Sequence, residues 1–378
     1  MNILVVAHYG LYRHLSASFI HNQVKEFAAM GHRVRVIIPV QMGKERNGKR
    51  FGPLFDTKQA DGVELCYLRF WSMSNFGAMW FNTPSAVVSL KNQLHKVLDG
   101  FQPDIIHAHT LGLDSGLGAW LKKELNIPLV VTTHGSDLFV TLKSGHKAWL
   151  KKLADQADTV ICVSSLMERR LLECDVAVPV KVILNGFNVS KAKADQEKKP
   201  FSLIQAGYLV ERKKADITIR AFAQLKDKYP EATLKIVGSG SELARFQALV
   251  KELGVEDSVC FTGYLPNPET LAEMAKAMFF VMPSVREGFG IVYLEAMASG
   301  CVTIGTQGEG IADLIENGKN GFLVPPEDPN AIVAVIESCL NDPQGAKEIA
   351  DRGREDACAL TWPANAQKYL ELYTTLTQ

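Results

Sequence analysis

Two glutamates with seven residues between them enclose a glycine-rich segment in the second half of the chain. The segment runs from Glu287 to Glu295 and reads EGFGIVYLE, and Gly288 and Gly290 precede apolar residues at helical spacing. Backbone N–H groups at such a helix start can bind a diphosphate, and Glu295, about two turns along, can accept paired hydrogen bonds from a ribose. The pattern suits a nucleotide sugar. It equally fits a carboxylate at Glu287 that is favoured by the helix dipole, with Glu295 as a surface residue.

Other candidate residues stand where apolar runs end. His134 follows PLVVTT and precedes Gly-Ser-Asp137, and His109 ends the run DIIHAH. A histidine at a strand end is more often a hydrogen-bonded structural residue, and Asp137 could equally cap a turn. Gly238 and Gly240 lack the third glycine of G-x-G-x-x-G, which disfavours a nicotinamide site. Because aspartate pairs and zinc-type histidine spacings are absent from the sequence, we expect no metal requirement.

Alternating strands and helices must position these residues. Short apolar runs recur with amphipathic stretches between them, from ILVVA at residue 3 to KVILN at 181 and from FSLIQAG at 201 to GFLVPP at 321. Ligands of such parallel sheets bind beyond the carboxyl ends of the strands. We predict an α/β protein with two Rossmann-like, doubly wound parallel-sheet domains facing a cleft, residues 1–189 and 200–360, joined by the charged linker Ser190 to Pro200.

Composition excludes several classes of protein. A chain of 378 residues exceeds one hydrophobic core, and 47% hydrophobic with 22% charged residues argues against both disorder and a membrane-embedded protein. No apolar run approaches the roughly 20 residues that span a bilayer, so we expect a cytoplasmic protein. We also expect no nucleic-acid partner. The seven scattered cysteines never form C-x-x-C, which is typical of buried reduced thiols.

Two features favour peripheral contact with a membrane, and each has an alternative. The first 190 residues carry 21 Lys+Arg and 15 Asp+Glu, whereas the remainder carries 20 and 26. This asymmetry could attract an anionic acceptor or an acidic membrane surface, or it could be a chance distribution of solvated charge. The aromatic stretch LRFWSMSNFGAMWF, Leu68 to Phe81, suits acceptor stacking or interfacial anchoring, and equally core or interdomain packing.

The longer segment EGFGIVYLEAMASG resembles the donor-site signature of the family 4 retaining glycosyltransferases (glycosyl transferases group 1), which have the GT-B fold. Similar segments extend over nearly the whole chain: THGSD at 133, VILNG at 182, AGYLVERKKADITIRAF, IVGSGSE, FTGYLP and NGFLVPPEDP. The resemblance implies retaining, metal-independent transfer of a sugar from a UDP or GDP sugar to a hydroxyl acceptor. It implies no cofactor, a glycan, lipid-linked or small-molecule acceptor, and a role in cell-surface polysaccharide or glycolipid biosynthesis.

The resemblance also assigns donor-side roles. Lys213 and Arg212 are expected to contact the diphosphate and neutralise the leaving group, while Glu287 positions the sugar. Without the resemblance, Arg212 and Lys213 would be interpreted as a solvated charge run. The family usually has arginine at Tyr208 and glycine at Lys214, so one phosphate ligand is missing for which Arg212 could substitute. The remaining expected donor-binding residues are Gly207, Gly238, Tyr264, Leu265, Gly288, Phe289, Gly290, Ile291 and Glu295.

On the acceptor side, the resemblance places His134 near the reacting end of the sugar, where its carbonyl and ring would stabilise positive charge. Asp137 and His109 are assigned to the acceptor, with loop anchoring as the alternative for Asp137. Many relatives have paired glycines after the first strand, and here Ser16 and Ser18 are expected to replace them. The C-terminal residues 361–378 are expected to pack back on the first domain.

Two rival functions remain open at this stage. A retaining disaccharide phosphorylase of the same fold would use phosphate and need no nucleotide, and the paired Arg212 and Lys213 suit either anion. A non-catalytic sugar-nucleotide-binding partner in a polysaccharide assembly would keep the fold without the reaction. The departure at Tyr208 favours this second rival, whereas intact Glu287, Lys213 and His134 argue against it.

Overall fold

A computed structural model describes residues 1–8, 19–42, 53–73, 78–188 and 197–378, with the backbone alone for residues 78–80. The chain divides into two compact units: unit 1 comprises Met1–Asn185 and Trp362–Gln378, and unit 2 comprises Gly186–Thr361. Each unit is an α/β structure built on a largely parallel sheet, so the predicted fold class is confirmed. Part of the predicted linker lies outside the described residues, and Lys199 and Pro200, which were assigned to it, begin a strand.

Unit 1 contains an eight-stranded sheet in the order β3-β4-β2-β1-β5-β6-β7-β8, and only β3 runs antiparallel to its neighbour. Its strands are β1 Asn2–Val6, β2 Arg33–Met42, β3 Phe55–Ala60, β4 Val63–Trp71, β5 Ile105–His109, β6 Leu129–Thr133, β7 Thr159–Cys162 and β8 Val180–Val182. Its described helices are α1 Phe19–Ala29, α2 Ala78–Val97, α3 Leu113–Leu125, α4 Ser136–Lys143, α5 Lys147–Ala154, α6 Ser165–Leu172 and, at the C-terminus, α13 Trp362–Thr377.

The C-terminal helix α13 belongs to the core of unit 1. Its residues Tyr369 and Tyr373 are fully buried beside Phe27 of α1. The Asn365 amide donates to the backbone carbonyl of Leu184, and its oxygen accepts from the amide of Gln23 at 2.8 Å. A chain segment more than 170 residues distant in sequence therefore completes the first hydrophobic core.

Unit 2 contains a six-stranded, fully parallel sheet in the order β11-β10-β9-β12-β13-β14. Its strands are β9 Lys199–Ala206, β10 Thr233–Val237, β11 Val259–Gly263, β12 Ala277–Val281, β13 Val302–Thr306 and β14 Phe322–Val324. Its helices are α7 Ala215–Lys228, α8 Leu243–Glu252, α9 Asn267–Lys276, α10 Ile291–Ala298, α11 Pro329–Asn341 and α12 Pro343–Ala359. Taken in chain order within the unit, the strands follow the Rossmann order 3-2-1-4-5-6.

Buried apolar side chains explain why these segments form strands and helices. The central strands of both sheets are covered on two faces, so their sequences are nearly continuous runs of Val, Ile, Leu and Phe. None of the described helices combines the length and hydropathy that a membrane span requires.

Candidate active site

The loops after β9 and β12 meet at the point where the strand order of unit 2 reverses. These two strands are adjacent, with Leu203 beside Phe279, whereas the next strands along the chain lie on opposite sides of them. Connections from such a pair diverge and leave a crevice at the carboxyl edge of the sheet. This topology brings Lys213 close to Glu287, although 74 residues separate them in sequence.

Glu287, Lys213 and Arg212 form one charged cluster. Lys213 Nζ donates to Glu287 Oε2 at 2.5 Å, and Arg212 Nη1 donates to the same oxygen at 3.0 Å. Lys213 and Glu287 are both 8% exposed, whereas the Arg212 side chain is 42% exposed. Burial would raise the pKa of the Glu287 carboxyl, but the charges of Lys213 and then Arg212 outweigh it and hold that pKa below its ordinary value. One carboxylate with two cations leaves a net positive charge, which suits an anionic ligand.

The backbone around Glu287 is fixed by the loop after β13. The Glu287 N–H donates to Glu309 Oε2 at 2.8 Å, and the Gly310 N–H donates to the Glu287 carbonyl. A Cβ on Gly310 would lie 2.1 Å from the carbonyl oxygen of Gly288, so only glycine permits this approach. Nothing local in the sequence marks Glu309, whose carboxylate holds the Glu287 backbone in place.

The predicted helix after the glycine-rich segment begins at Ile291, with Gly290 as its N-cap at φ +83°. Glu287 lies before this N-cap and outside the first turn, and its carboxylate pairs with Lys213 and Arg212, which makes these two cations its main partners. Phe289 is buried, and a Cβ on Gly290 would lie 2.7 Å from the Tyr293 ring. Further along the helix, Glu295 Oε1 accepts from the Asn267 amide at 2.8 Å.

Two more loops, after β10 and β11, meet the loop after β9 at the same edge of the sheet. The Gly207 N–H donates to the Val237 carbonyl, and the Gly238 N–H donates to the Gly263 carbonyl. A Cβ on Gly238 would come within 1.9 Å of the Gly207 carbonyl oxygen, so this close approach requires glycine. The glycine is therefore explained by packing of the two loops and needs no dinucleotide-binding role. The loop after β11 continues into the half-buried Leu265, so the predicted donor-binding residues Gly207, Gly238, Tyr264 and Leu265 all follow the carboxyl ends of β9, β10 or β11.

Two tyrosines in these loops are exposed. Tyr208 is 67% and Tyr264 is 66% exposed. The resemblance implies an arginine at this position in relatives, whereas Tyr208 presents a phenol to solvent here. The compensating contact by Arg212 stays a prediction.

Unit 1 gathers the predicted histidines at the carboxyl edge of its own sheet. His109 Nδ1 and His134 Nε2 are 3.0 Å apart, and their rings are stacked. Burial lowers the pKa of His134 to about 4, although Asp137 opposes the shift, and burial also lowers the pKa of His109 well below its ordinary value. Both rings are therefore neutral at neutral pH.

Asp137 has the geometry of a loop anchor. Its carboxylate accepts backbone N–H groups from Leu111 at 2.9 Å, His134 at 3.1 Å and Gly135 at 3.0 Å. These bonds support the anchoring alternative, while its acceptor contact stays a prediction. His109 is only 1% exposed, so direct contact with an acceptor would require this ring to become accessible. Ser16 and Ser18 lie outside the described residues.

The aromatic stretch divides into buried and exposed parts. Leu68 and Phe70 are buried in β4, as the packing alternative requires, whereas Trp71 is 67% and Phe81 is 42% exposed. Phe76 and the Trp80 side chain lie outside the described part of the chain. Membrane or acceptor contact through the two exposed rings stays a prediction.

The described side chains also bear on metal binding. Over the described ranges, no group of three or more His, Cys, Asp or Glu side chains is arranged to hold a metal ion. Metal independence stays a prediction to be tested by experiment.

Comparison with known proteins identifies the family. Residues 16–191 match the description Glycosyltransferase Family 4, and residues 187–356 match Glycosyl transferases group 1. The WcaL protein of Salmonella typhimurium, named for a glycosyltransferase role in colanic acid biosynthesis, is 26% identical over 90% of this chain and 91% of its own length.

Solved structures agree on the fold. Sucrose-phosphate synthase from Thermosynechococcus elongatus superposes with a TM-score of 0.80 at 23% identity, covering 100% of this chain and 99% of its own. Anabaena HepE in complex with UDP-glucose has a TM-score of 0.74 at 21% identity, covering 100% of both chains. At such identities the likeness shows the fold alone. The two family matches, which jointly span residues 16–356, show that this chain belongs to the glycosyltransferases of family 4, glycosyl transferases group 1, and the solved structures give its fold as GT-B.

Proposed function

We propose that the chain transfers a sugar from a nucleotide diphosphate sugar to a hydroxyl acceptor with retention of configuration, in the synthesis of a cell-surface polysaccharide or glycolipid. The observation that carries this proposal is the cluster of Glu287, Lys213 and Arg212 at the reversal point of the unit 2 sheet. Two basic groups beside a glycine-rich loop suit a diphosphate, and Glu295 further along the helix suits a ribose.

The chemistry follows from the charges. As the bond between the sugar C1 and the diphosphate oxygen breaks, negative charge grows on the leaving group, and Lys213 and Arg212 stabilise it. The acceptor oxygen forms the new bond to C1, and its proton passes to the leaving phosphate oxygen. Glu287 serves as a positioning group, because one of its oxygens already accepts from both basic side chains. The neutral His134 supports the positive charge that develops on the sugar ring.

Two relatives support the finer assignment. HepE is in complex with UDP-glucose, which favours a UDP-type donor. WcaL is assigned to colanic acid biosynthesis, which favours a polysaccharide product.

The acceptor-side residues all come from unit 1, and the donor-side residues all come from unit 2.

Nucleotide binding provides the first test. We expect UDP or GDP to raise the midpoint of thermal unfolding by several degrees and inorganic phosphate to have little effect, because a ligand that binds only the folded chain stabilises it by mass action. The measurement is a thermal-shift titration with UDP, GDP, ADP and phosphate. A shift with phosphate alone would favour the phosphorylase, and a shift with a nucleotide but no turnover of its sugar would favour the non-catalytic partner.

Stereochemistry and metal dependence provide the second test. With UDP-glucose as donor, the product should carry an α-linked glucose, as in the donor, and its anomeric proton coupling in NMR reports this directly. The rate should be unchanged after dialysis against EDTA, because the proposed stabilisation of the leaving group comes from Lys213 and Arg212. A β-linked product would contradict retention, and loss of activity that Mg²⁺ restores would contradict metal independence.

A further inference from the structure

A histidine-aspartate pair lies where the strand order of unit 1 reverses. Strands β1 and β5 are adjacent, with Val6 beside Ala108, and their other neighbours in the sheet are β2 and β6. His8 follows β1, and Asp114 is in the first turn of α3, which follows β5. This is the position at which doubly wound sheets bind ligands. Neither residue was singled out from the sequence, because 106 residues separate them.

The pair fixes the orientation of the imidazole. His8 Nδ1 lies 2.7 Å from Asp114 Oδ2, and Thr110 Oγ1 donates to the same oxygen at 3.0 Å. Asp114 is fully buried, whereas the His8 side chain is 37% exposed. A carboxylate can only accept hydrogen bonds, so His8 Nδ1 is the donor and Nε2 of the neutral ring is an acceptor.

Unpartnered polar atoms surround the pair. Within the described ranges of the chain, Asp114 Oδ1, His109 Nε2 and His134 Nδ1 are buried without a hydrogen-bond partner. A buried polar atom without a partner destabilises the folded chain unless water or a ligand satisfies it. These three atoms are buried, so the group that a ligand can reach here is the partly exposed His8 ring, and a sugar hydroxyl, which both donates and accepts, can pair with it.

We propose that His8, oriented by Asp114, binds a hydroxyl of a neutral sugar acceptor. The proposal rests on the proposed glycosyl transfer and adds the acceptor site and its chemical class. His8 Nε2 accepts a hydrogen bond from a hydroxyl next to the attacking one, and Asp114 is a positioning residue. The negative charges of Asp114 and Asp137 both favour the protonated His8 ring, and the same charges would repel an anionic acceptor at this place.

The pair gives acceptor binding a defined pH dependence. His8 faces Asp114 of α3, Asp137 of α4, and the rings of His109 and His134 at the ends of β5 and β6. Burial favours the neutral ring, but Asp114 and then Asp137 outweigh it and raise the pKa of His8 above its ordinary value. Because the neutral ring accepts the hydroxyl, the KM for the acceptor should fall as the pH rises through this pKa. In the Asp114→Asn variant the fall in acceptor KM should occur at lower pH, because the carboxylate that raises the pKa of His8 is gone.

The test compares two replacements of His8. Asparagine reaches the position of Nδ1 and keeps the contact with Asp114 but has no atom at Nε2, whereas glutamine reaches that distal position. With UDP-glucose as donor and D-glucose, D-mannose or D-galactose as acceptor, His8→Asn should raise the acceptor KM about tenfold with little change in kcat. His8→Gln should recover part of the loss.

A matched control lies in the same unit. His21 Nε2 contacts Asp61 Oδ2 at 2.8 Å, so His21→Asn removes a similar pair away from the strand reversal and should leave the acceptor KM unchanged. An acceptor KM unaltered in His8→Asn would overturn the inference and leave the proposed transfer intact. The inference would also be overturned, with the proposed transfer left intact, if none of the three sugars accelerated the release of UDP. Failure of the parent chain to bind UDP or GDP would instead count against the proposed function.

Discussion

The Glu287→Gln variant should transfer sugar about 10²–10³-fold more slowly than the parent chain while remaining folded and binding UDP. Glutamine keeps the shape of the side chain but removes the charge that holds Lys213 and Arg212 together at 2.5 and 3.0 Å. Without that anchor, the two cations lose the fixed orientation on which stabilisation of the leaving group depends. The measurements are kcat with UDP-glucose and a sugar acceptor, and the thermal shift produced by UDP.

Unit 2 offers a matched control for this variant. Glu273 also accepts from two lysines, Lys235 and Lys276, and their charges likewise hold its pKa below the ordinary value against the effect of burial. Glu273→Gln therefore removes a comparable carboxylate from a place without a predicted role and should leave kcat near that of the parent. Equal rates for parent and Glu287→Gln would refute the assigned role, and a common loss in both variants would point to stability instead.

The fold was largely predictable because the central strands are buried on both faces. Their continuous apolar runs, such as ILVVA and FSLIQAG, mark strands without reference to any partner. Strands β3 and β4 of unit 1 were not predicted from the sequence. Strand β3 reads FDTKQA and is partly or fully exposed throughout, so it carries no apolar run, and it exists through pairing with β4. An edge strand of this kind depends on a neighbour that local sequence does not specify.

The site was predictable only where the resemblance covered it. Lys213 and Glu287 were assigned through quoted motifs, but their direct contact depends on β9 lying next to β12, which spacing along the chain cannot reveal. His8 and Asp114 illustrate the limit, because one histidine after a strand and one aspartate in a first helical turn have no local signal. The anchoring role of Asp137 required the positions of three backbone N–H groups from two loops.

Replacing Lys213 with methionine should lower kcat/KM for the nucleotide sugar by at least about 10²-fold and weaken the binding of UDP. Methionine keeps an unbranched apolar stem of similar length in a site that is 8% exposed, so packing changes little while the charge is lost. Glu287 then keeps only Arg212, whose side chain is 42% exposed. Since burial raises the pKa of this carboxyl and the largest opposing charge is gone, the pKa of Glu287 should rise. Steady-state kinetics and UDP titration measure the first two effects.

The adjacent lysine separates a specific role from a general effect of charge. Lys214 pairs with Glu327, whose side chain is 60% exposed, and lies one residue beyond Lys213. Lys214→Met therefore removes the same charge from the same loop without disturbing Glu287 and should change kcat/KM only slightly. If both variants lose activity equally, long-range attraction of the anionic donor explains the effect. If Lys213→Met alone keeps the parent rate, the diphosphate must be held by other groups, and the assignment of this cluster to the donor is wrong.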